Sequence, residues 1–185
     1  MSPTRAELLA AGDRLLPDVI ATGLDVVFCG INPGLYSAWS GHHFARPGNR
    51  FWPALFGAGF TPRLLAPSEQ ALLPSLGLGI TNVVPRASAR ADELSRAELT
   101  AGAVRLTRLV AEYQPRVLAV LGVTAYRQAF AAPDAVVGRQ AESIGPTVVW
   151  VLPNPSGLNA HYQLPALIEQ FSRVLEAVRP QPEAQ

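Results

Sequence analysis

Four short hydrophobic runs, each closed by glycine or proline, constrain the fold of this chain more than any other feature of its sequence. They are rich in valine, isoleucine and leucine and show no alternation of apolar and polar residues, as expected for strands covered on both faces. Helical patterns separate them, and this alternation predicts an α/β fold with a parallel sheet between two helical layers. The runs span residues 24–30, 79–84, 116–122 and 147–153.

The segments between the runs carry signals for helix ends. Ser95 and Glu98 form a capping box that opens a helix reaching Tyr113. The last helix begins near Leu164, with Pro165 in its first turn. Shorter helices are predicted over 5–16, 51–58 and 123–131. The predicted architecture is a three-layer α/β/α sandwich around a four-stranded parallel sheet.

Length and composition exclude several classes of protein. The chain has 185 residues, enough for one domain, which we expect over 1–185 with a core at about 20–178 and a polar tail at 180–185. A hydrophobic content of 49% is too high for a disordered chain, and no apolar run reaches the length of a membrane helix. The first residues carry charges unlike a secretory signal, so we expect a cytoplasmic protein without membrane contacts. We also expect a monomer.

Cysteine and histidine usage argues against a metal site. The single cysteine, Cys29, lies inside a strand pattern, which favours a core position over a nucleophile or zinc ligand. The chain has three histidines, and the adjacent His42 and His43 lack the spacing that places two ligands on one ion. A metal site is therefore not expected.

The basic residues are unevenly distributed. All fifteen are arginine, and the stretch between Asp25 and Asp92 holds five of them against one acid, Glu69. This asymmetry predicts a positively charged face suited to a phosphate-bearing partner.

Two Asn-Pro pairs follow predicted strands at matching positions. Asn32-Pro33 ends the first strand and Asn154-Pro155 the fourth, and proline restricts the conformation of the residue before it. Ligands of parallel α/β sheets bind outside the carboxyl ends of the strands, so we expect both amides to face one crevice. A long irregular loop from residue 31 to 49 borders the same place, and loops of that length are commonly functional. The sequence has neither a dinucleotide nor a triphosphate glycine motif.

Several segments in a fixed order resemble one known family. The sequence VFCGINPGL at 27–35 continues through GHHFARPGNRFW at 41–52, with GITNVV at 79–84, YQP at 113–115 and LPNPSGL at 152–158. Together they are similar to the mismatch-specific uracil-DNA glycosylases and the related thymine-DNA glycosylases. The resemblance implies the glycosylase sandwich fold and an enzyme that needs no metal or organic cofactor. It also implies a monofunctional enzyme that removes uracil, and less readily thymine or ethenocytosine, chiefly from guanine mismatches in double-stranded DNA.

The resemblance also implies roles for residues near the first strand. Asn32 matches the asparagine that holds the hydrolytic water, and Ile31 supplies backbone groups beside it. Phe44 matches the aromatic ring that stacks on the flipped base. Ser37 stands where the size of the base pocket is set.

The fourth strand leads into a predicted DNA wedge. By resemblance, Asn154 lies against the flipped nucleotide, and the wedge consists of Gly157, Leu158 and Asn159, with the leucine entering the base stack. Bacterial members usually carry an arginine where this chain has Ala160, which predicts a relaxed preference for the opposite base.

Three alternatives stay open. Asp92 follows the second strand and is a second candidate for a catalytic base or electrostatic stabiliser, although a place in the N-terminal region of the next helix is the favoured interpretation. The same wedge and pocket would serve a non-catalytic protein that binds mismatched or damaged DNA. The third alternative is a protein that binds small nucleotides and not DNA, which would share only its sandwich fold with the glycosylases.

Overall fold

A mixed five-stranded sheet forms the centre of the fold in the computed structural model, which describes residues 2–12 and 14–179. Its strand order is β2-β1-β3-β5-β4. The first four strands in that order are parallel, as predicted. The strands are β1 (Val26–Gly30), β2 (Leu78–Asn82), β3 (Val117–Leu121), β4 (Gly138–Ile144) and β5 (Thr147–Leu152).

The prediction of a four-stranded, wholly parallel sheet is wrong in one respect. Strand β4 adds a fifth, antiparallel member at the edge, joined to β5 through the turn around Gly145. Its sequence, GRQAESI, is polar and largely exposed, so it lacks the hydrophobic run that identifies a strand covered on both faces. An edge strand needs only one neighbour and can therefore be polar.

Helices cover both faces of the sheet. On one face, Phe28 of β1 packs in a core with residues of the helices at 51–57 and 164–178. On the other face, Cys29 packs with residues of the helices at 96–113 and 123–129. Burial raises the pKa of the Cys29 thiol, which fits the predicted core position. The helices are α1 (Arg5–Ala10), α2 (Leu35–Ser40), α3 (Phe51–Gly57), α4 (Arg96–Tyr113), α5 (Val123–Ala129) and α6 (Leu164–Val178).

Most predicted helix ends are confirmed. Ser95 Oγ accepts from the Glu98 amide at 3.1 Å, and the Glu98 carboxylate accepts from the Ser95 amide at 2.9 Å, which completes the capping box of α4. Helix α1 is shorter than predicted because Gly12 follows its C-cap, Ala11.

The long loop after β1 is not wholly irregular. It contains the six-residue helix α2, which begins after Gly34 and ends at Gly41, whose φ of 76° suits glycine. A helix this short shows no apolar periodicity in the sequence. Two 3-10 segments, Pro67–Leu76 and Ala91–Glu93, flank β2.

No helix among residues 2–12 and 14–179 is long and apolar enough to cross a membrane. The predicted polar tail at 180–185 lies outside the described residues.

Candidate functional site

A cavity of about 180 Å³ lies at the carboxyl ends of the parallel strands. Both Asn-Pro turns contribute to its wall, which includes Asn32 and Asn154. Five of the predicted site residues line this cavity: Ile31, Asn32, Ser37, Phe44 and Asn154.

The side chain of Asn32 has a fixed orientation. Its Nδ2 donates to the carbonyl oxygen of Arg86 at 3.0 Å and to Oγ of Ser88 at 2.7 Å. A carbonyl oxygen can only accept, so the amide nitrogen must face it. The Asn32 Oδ1 has no hydrogen-bond partner within the described part of the chain and is left for a molecule in the cavity.

The segment that holds Asn32 is itself anchored. The Ser88 amide donates to the carbonyl of Pro33 at 3.2 Å, and the Ser88 hydroxyl donates to the carbonyl of Arg90 at 2.7 Å. Arg86 Nε donates to the Glu98 carboxylate at 2.8 Å at the start of α4. The capping box of α4 is thereby connected to Asn32 through Arg86, which helps to keep the amide in place.

Phe44 forms a wall of the cavity in a strained backbone conformation. Its φ is 53°, a region that few residues other than glycine adopt. The ring stacks on Phe51 of α3 with centroids 4.2 Å apart. Gly30 faces this ring, because a Cβ there would lie 3.3 Å from Phe44 Cζ and 2.6 Å from Oδ1 of Asn82. Glycine at the end of β1 therefore keeps the cavity open between an aromatic ring and an amide.

Sequence reasoning missed the pair formed by His43 and Asn82. Nε2 of His43 lies 2.9 Å from the carbonyl oxygen of Pro17, so this nitrogen carries the proton. Nδ1 then accepts from Nδ2 of Asn82 at 3.4 Å. Burial lowers the pKa of His43 and favours its neutral form. This contact orients the Asn82 amide at the cavity wall. The one sequence signal for Asn82 as a site residue was its position near the carboxyl end of a predicted strand.

The predicted wedge forms a tight turn beside the cavity. Ser156 N donates to Oδ1 of Asn154 at 2.9 Å, and Leu158 N donates to Oγ of Ser156 at 3.2 Å. Nδ2 of Asn159 donates back to the carbonyl of Asn154 at 3.0 Å. The Leu158 side chain is 78% exposed at the tip of this turn. An isolated apolar side chain on an ordered turn is suited to insertion into another molecule.

Asp92 is not brought into the cavity. Its exposed carboxylate pairs with Arg90 at 2.6 Å, and this hydrogen bond lowers the pKa of Asp92. The cavity lining on that segment runs from Ser88 to Ala91.

Arg46 borders both the cavity and the predicted wedge. It lines the cavity and also the groove beside Leu158. Its guanidinium forms no hydrogen bond or ion pair with any residue that the structure describes. An arginine free in this position is available for an anionic ligand.

Comparisons with known proteins identify the family and the fold of this chain. The family model of the Uracil DNA glycosylase superfamily matches residues 17–179. The fold is similar to the solution NMR structure of a Methanosarcina acetivorans protein provisionally described as a uracil DNA glycosylase, with a TM-score of 0.60 and 18% sequence identity. That match covers 88% of this chain and 98% of the other.

Proposed function

Because this chain belongs to the uracil DNA glycosylase superfamily, we propose that it hydrolyses the N-glycosidic bond of uracil in DNA, chiefly in U·G mismatches. The observation that carries the proposal is the Asn32 amide, whose nitrogen is held by Arg86 and Ser88 while its oxygen is left open at the cavity. The product is free uracil and an abasic site.

Asn32 acts by positioning water. Its Oδ1 accepts a hydrogen bond from a water molecule and directs the water oxygen at C1′ of the flipped nucleotide. The bond from C1′ to N1 breaks with its electron pair on uracil, the water oxygen bonds to C1′, and one water proton is released. An amide does not titrate near neutral pH, so catalysis depends on orientation and on electrostatic stabilisation of the departing uracil anion.

Asn82 supports the choice of uracil over cytosine. Asn82 lines the cavity, and with one Nδ2 hydrogen directed at His43 its amide keeps a second hydrogen and Oδ1 for pairing with a base. This donor and acceptor complement O4 and N3–H of uracil, whereas cytosine presents a donor and an acceptor in the reverse order. A site built to pair with polar groups rejects a base that leaves them unpaired.

A mismatch lowers the cost of bringing the base to this cavity. Flipping a nucleotide costs a few kcal/mol in unstacking and unpairing, and less when the base is mispaired. Leu158 fills the space that the base leaves, and Phe44 stacks on the flipped base. Ser37 and Asn154 complete the wall of the base pocket.

Arg46 supports DNA as the partner. We assign its free guanidinium to a phosphate beside the flipped nucleotide, since it lies between the base cavity and the wedge. The chain contains no lysine that could form an imine with the abasic sugar, which supports hydrolysis without strand cleavage.

One assay tests the proposal. The protein is incubated with duplexes carrying U·G, T·G or U·A and with single-stranded uracil DNA, and abasic product is revealed by alkali. We expect the fastest release from U·G. Binding to the U·G duplex without any abasic product would instead establish the non-catalytic DNA-binding alternative.

A further inference from the structure

The guanidinium of Arg50 lies inside the turn that carries Leu158. Its Nη1 donates to the carbonyl oxygens of Asn159 at 2.9 Å and Tyr162 at 3.0 Å, and Nη2 donates to that of Gly157 at 3.3 Å. The Arg50 backbone amide also donates to the carbonyl of Pro155 at 2.9 Å. One residue therefore binds both ends and the middle of the segment 155–162.

A close backbone contact reinforces this connection. A Cβ on Gly157 would lie 2.5 Å from the carbonyl oxygen of Gly48, so only glycine fits there. Arg50 is the N-cap of α3, whose Phe51 and Trp52 are buried in the core. The turn is thereby fixed to a rigid part of the fold.

The charge of Arg50 is directed at backbone oxygens. No carboxylate in the described ranges pairs with it. A hydrogen bond from a charged donor is stronger than a neutral one, and the planar guanidinium reaches several acceptors at once. With its carbonyls directed inward to Arg50, the turn presents the Leu158 side chain outward.

We propose that Arg50 is a positioning residue that holds the Leu158 turn in its inserting shape before DNA is bound. The inference rests on the proposed glycosylase function. A preordered turn inserts into the duplex without an entropic cost of ordering at that step. The guanidinium thus promotes base flipping from a duplex, and it has no part in the hydrolysis itself.

Comparing excision from duplex and from single-stranded DNA separates base flipping from hydrolysis, because only the duplex requires the base to be flipped out of a stack. Single-turnover rates are measured on U·G duplex and on single-stranded uracil DNA for wild type, Arg50→Gln, Arg50→Lys and Leu158→Ala, with Arg173→Gln on α6 as the control. We expect the single-turnover rate of both Arg50 variants to fall by roughly 10- to 100-fold on the duplex, the size of effect that a misplaced group causes. On the single strand the rate should fall by less than about threefold. Leu158→Ala should show the same pattern.

Lysine distinguishes positioning from phosphate binding. An ammonium keeps the charge but cannot span three carbonyls, so Arg50→Lys should not rescue the duplex rate. Two results together would overturn the proposal: a duplex excision rate of Arg50→Lys equal to that of wild type, and a salt dependence of DNA binding in Arg50→Gln that is less steep by about one phosphate contact. Equal losses on both substrates would overturn it as well, because Arg50 would then act in the chemistry.

Hydrogen exchange provides a measurement that does not depend on activity. The amides of Leu158, Asn159 and His161 should exchange faster in Arg50→Gln than in wild type, with the core strands unchanged. Unchanged exchange of these amides would contradict the proposal even if the duplex rate falls. Should Arg50→Gln not fold, Gly157→Ala tests the same connection from the other side. A wild-type protein that releases uracil from neither substrate would disprove the proposed function, and the exchange result would still decide the role of Arg50.

Discussion

Nδ2 of Asn32 lies 2.7 Å from the hydroxyl oxygen of Ser88, although 56 residues separate them in the chain. This contact, together with the Arg86 carbonyl, decides which end of the amide is directed at the cavity. The position of the hydrolytic water in the proposed reaction depends on it.

Replacing Asn32 by alanine should remove excision and preserve binding. The variant loses the acceptor that orients water, so we expect the single-turnover rate on U·G duplex to fall by roughly 100-fold or more. Affinity for the duplex, measured by gel retardation, should stay close to that of wild type. A fully active Asn32→Ala protein would contradict the assigned role.

Replacing Asp92 by asparagine should have little effect on excision. Its carboxylate is exposed, pairs with Arg90 and is not part of the cavity wall. Under the same single-turnover conditions we expect a rate within about twofold of wild type, because exposed ion pairs contribute little. A loss comparable to that of Asn32→Ala would make Asp92 the catalytic base.

Replacing Ser88 by alanine should lower the rate of excision moderately. The Asn32 amide keeps its hydrogen bond to Arg86 but loses the one to the hydroxyl, which is worth about 1 kcal/mol, or roughly a fivefold to tenfold decrease. Ser75→Ala, which removes an exposed hydroxyl far from the cavity, serves as the control. A Ser88→Ala rate equal to that of the control would mean that Arg86 alone orients the amide.

Replacing Arg46 by alanine should weaken DNA binding to all sequences alike. The logarithm of the binding constant should depend less steeply on the logarithm of salt concentration, by about one unit of slope, because one phosphate contact is lost. Binding is measured at several salt concentrations with matched and mismatched duplexes. A slope identical to that of wild type would exclude the phosphate contact.

Protein stability should decrease below pH 6.5 through His43. Burial lowers the pKa of His43 from its ordinary value of 6.5, so below that pH the unfolded chain binds a proton that the folded protein does not. The free energy of unfolding should fall as pH decreases from about 6.5 towards the lowered pKa, by at most about 1.4 kcal/mol per pH unit.

Urea unfolding at pH 7.5, 6.5 and 5.5 measures this dependence. His43→Gln should show a smaller decrease than wild type, and His161→Gln, at an exposed position, provides the matched comparison. An identical pH dependence in all three proteins would rule out His43 as its source.

The parallel strands and the two Asn-Pro turns could be predicted because their signals are local. A continuous apolar run identifies a strand covered on both faces, and the ends of parallel strands meet at one edge. Strand β4 could not be found in this way, since its place at the edge leaves it polar. Helix α2 was missed because six residues are too few to show a period.

The pair of His43 and Asn82 and the contacts of Arg50 had no local signal. His43 and Asn82 are 39 residues apart, and Arg50 reaches carbonyls more than 100 residues along the chain. Such contacts form only in the folded protein, where the sheet brings loops from distant parts of the sequence together.

The sequence by itself determined where the parallel strands lie along the chain and which kinds of side chain follow them, because burial patterns and proline restrict the chain locally. The tertiary structure alone decided which atom of each amide faces the cavity and what holds the Leu158 turn. Those orientations depend on hydrogen-bond partners from distant segments, which only the folded sheet brings within reach.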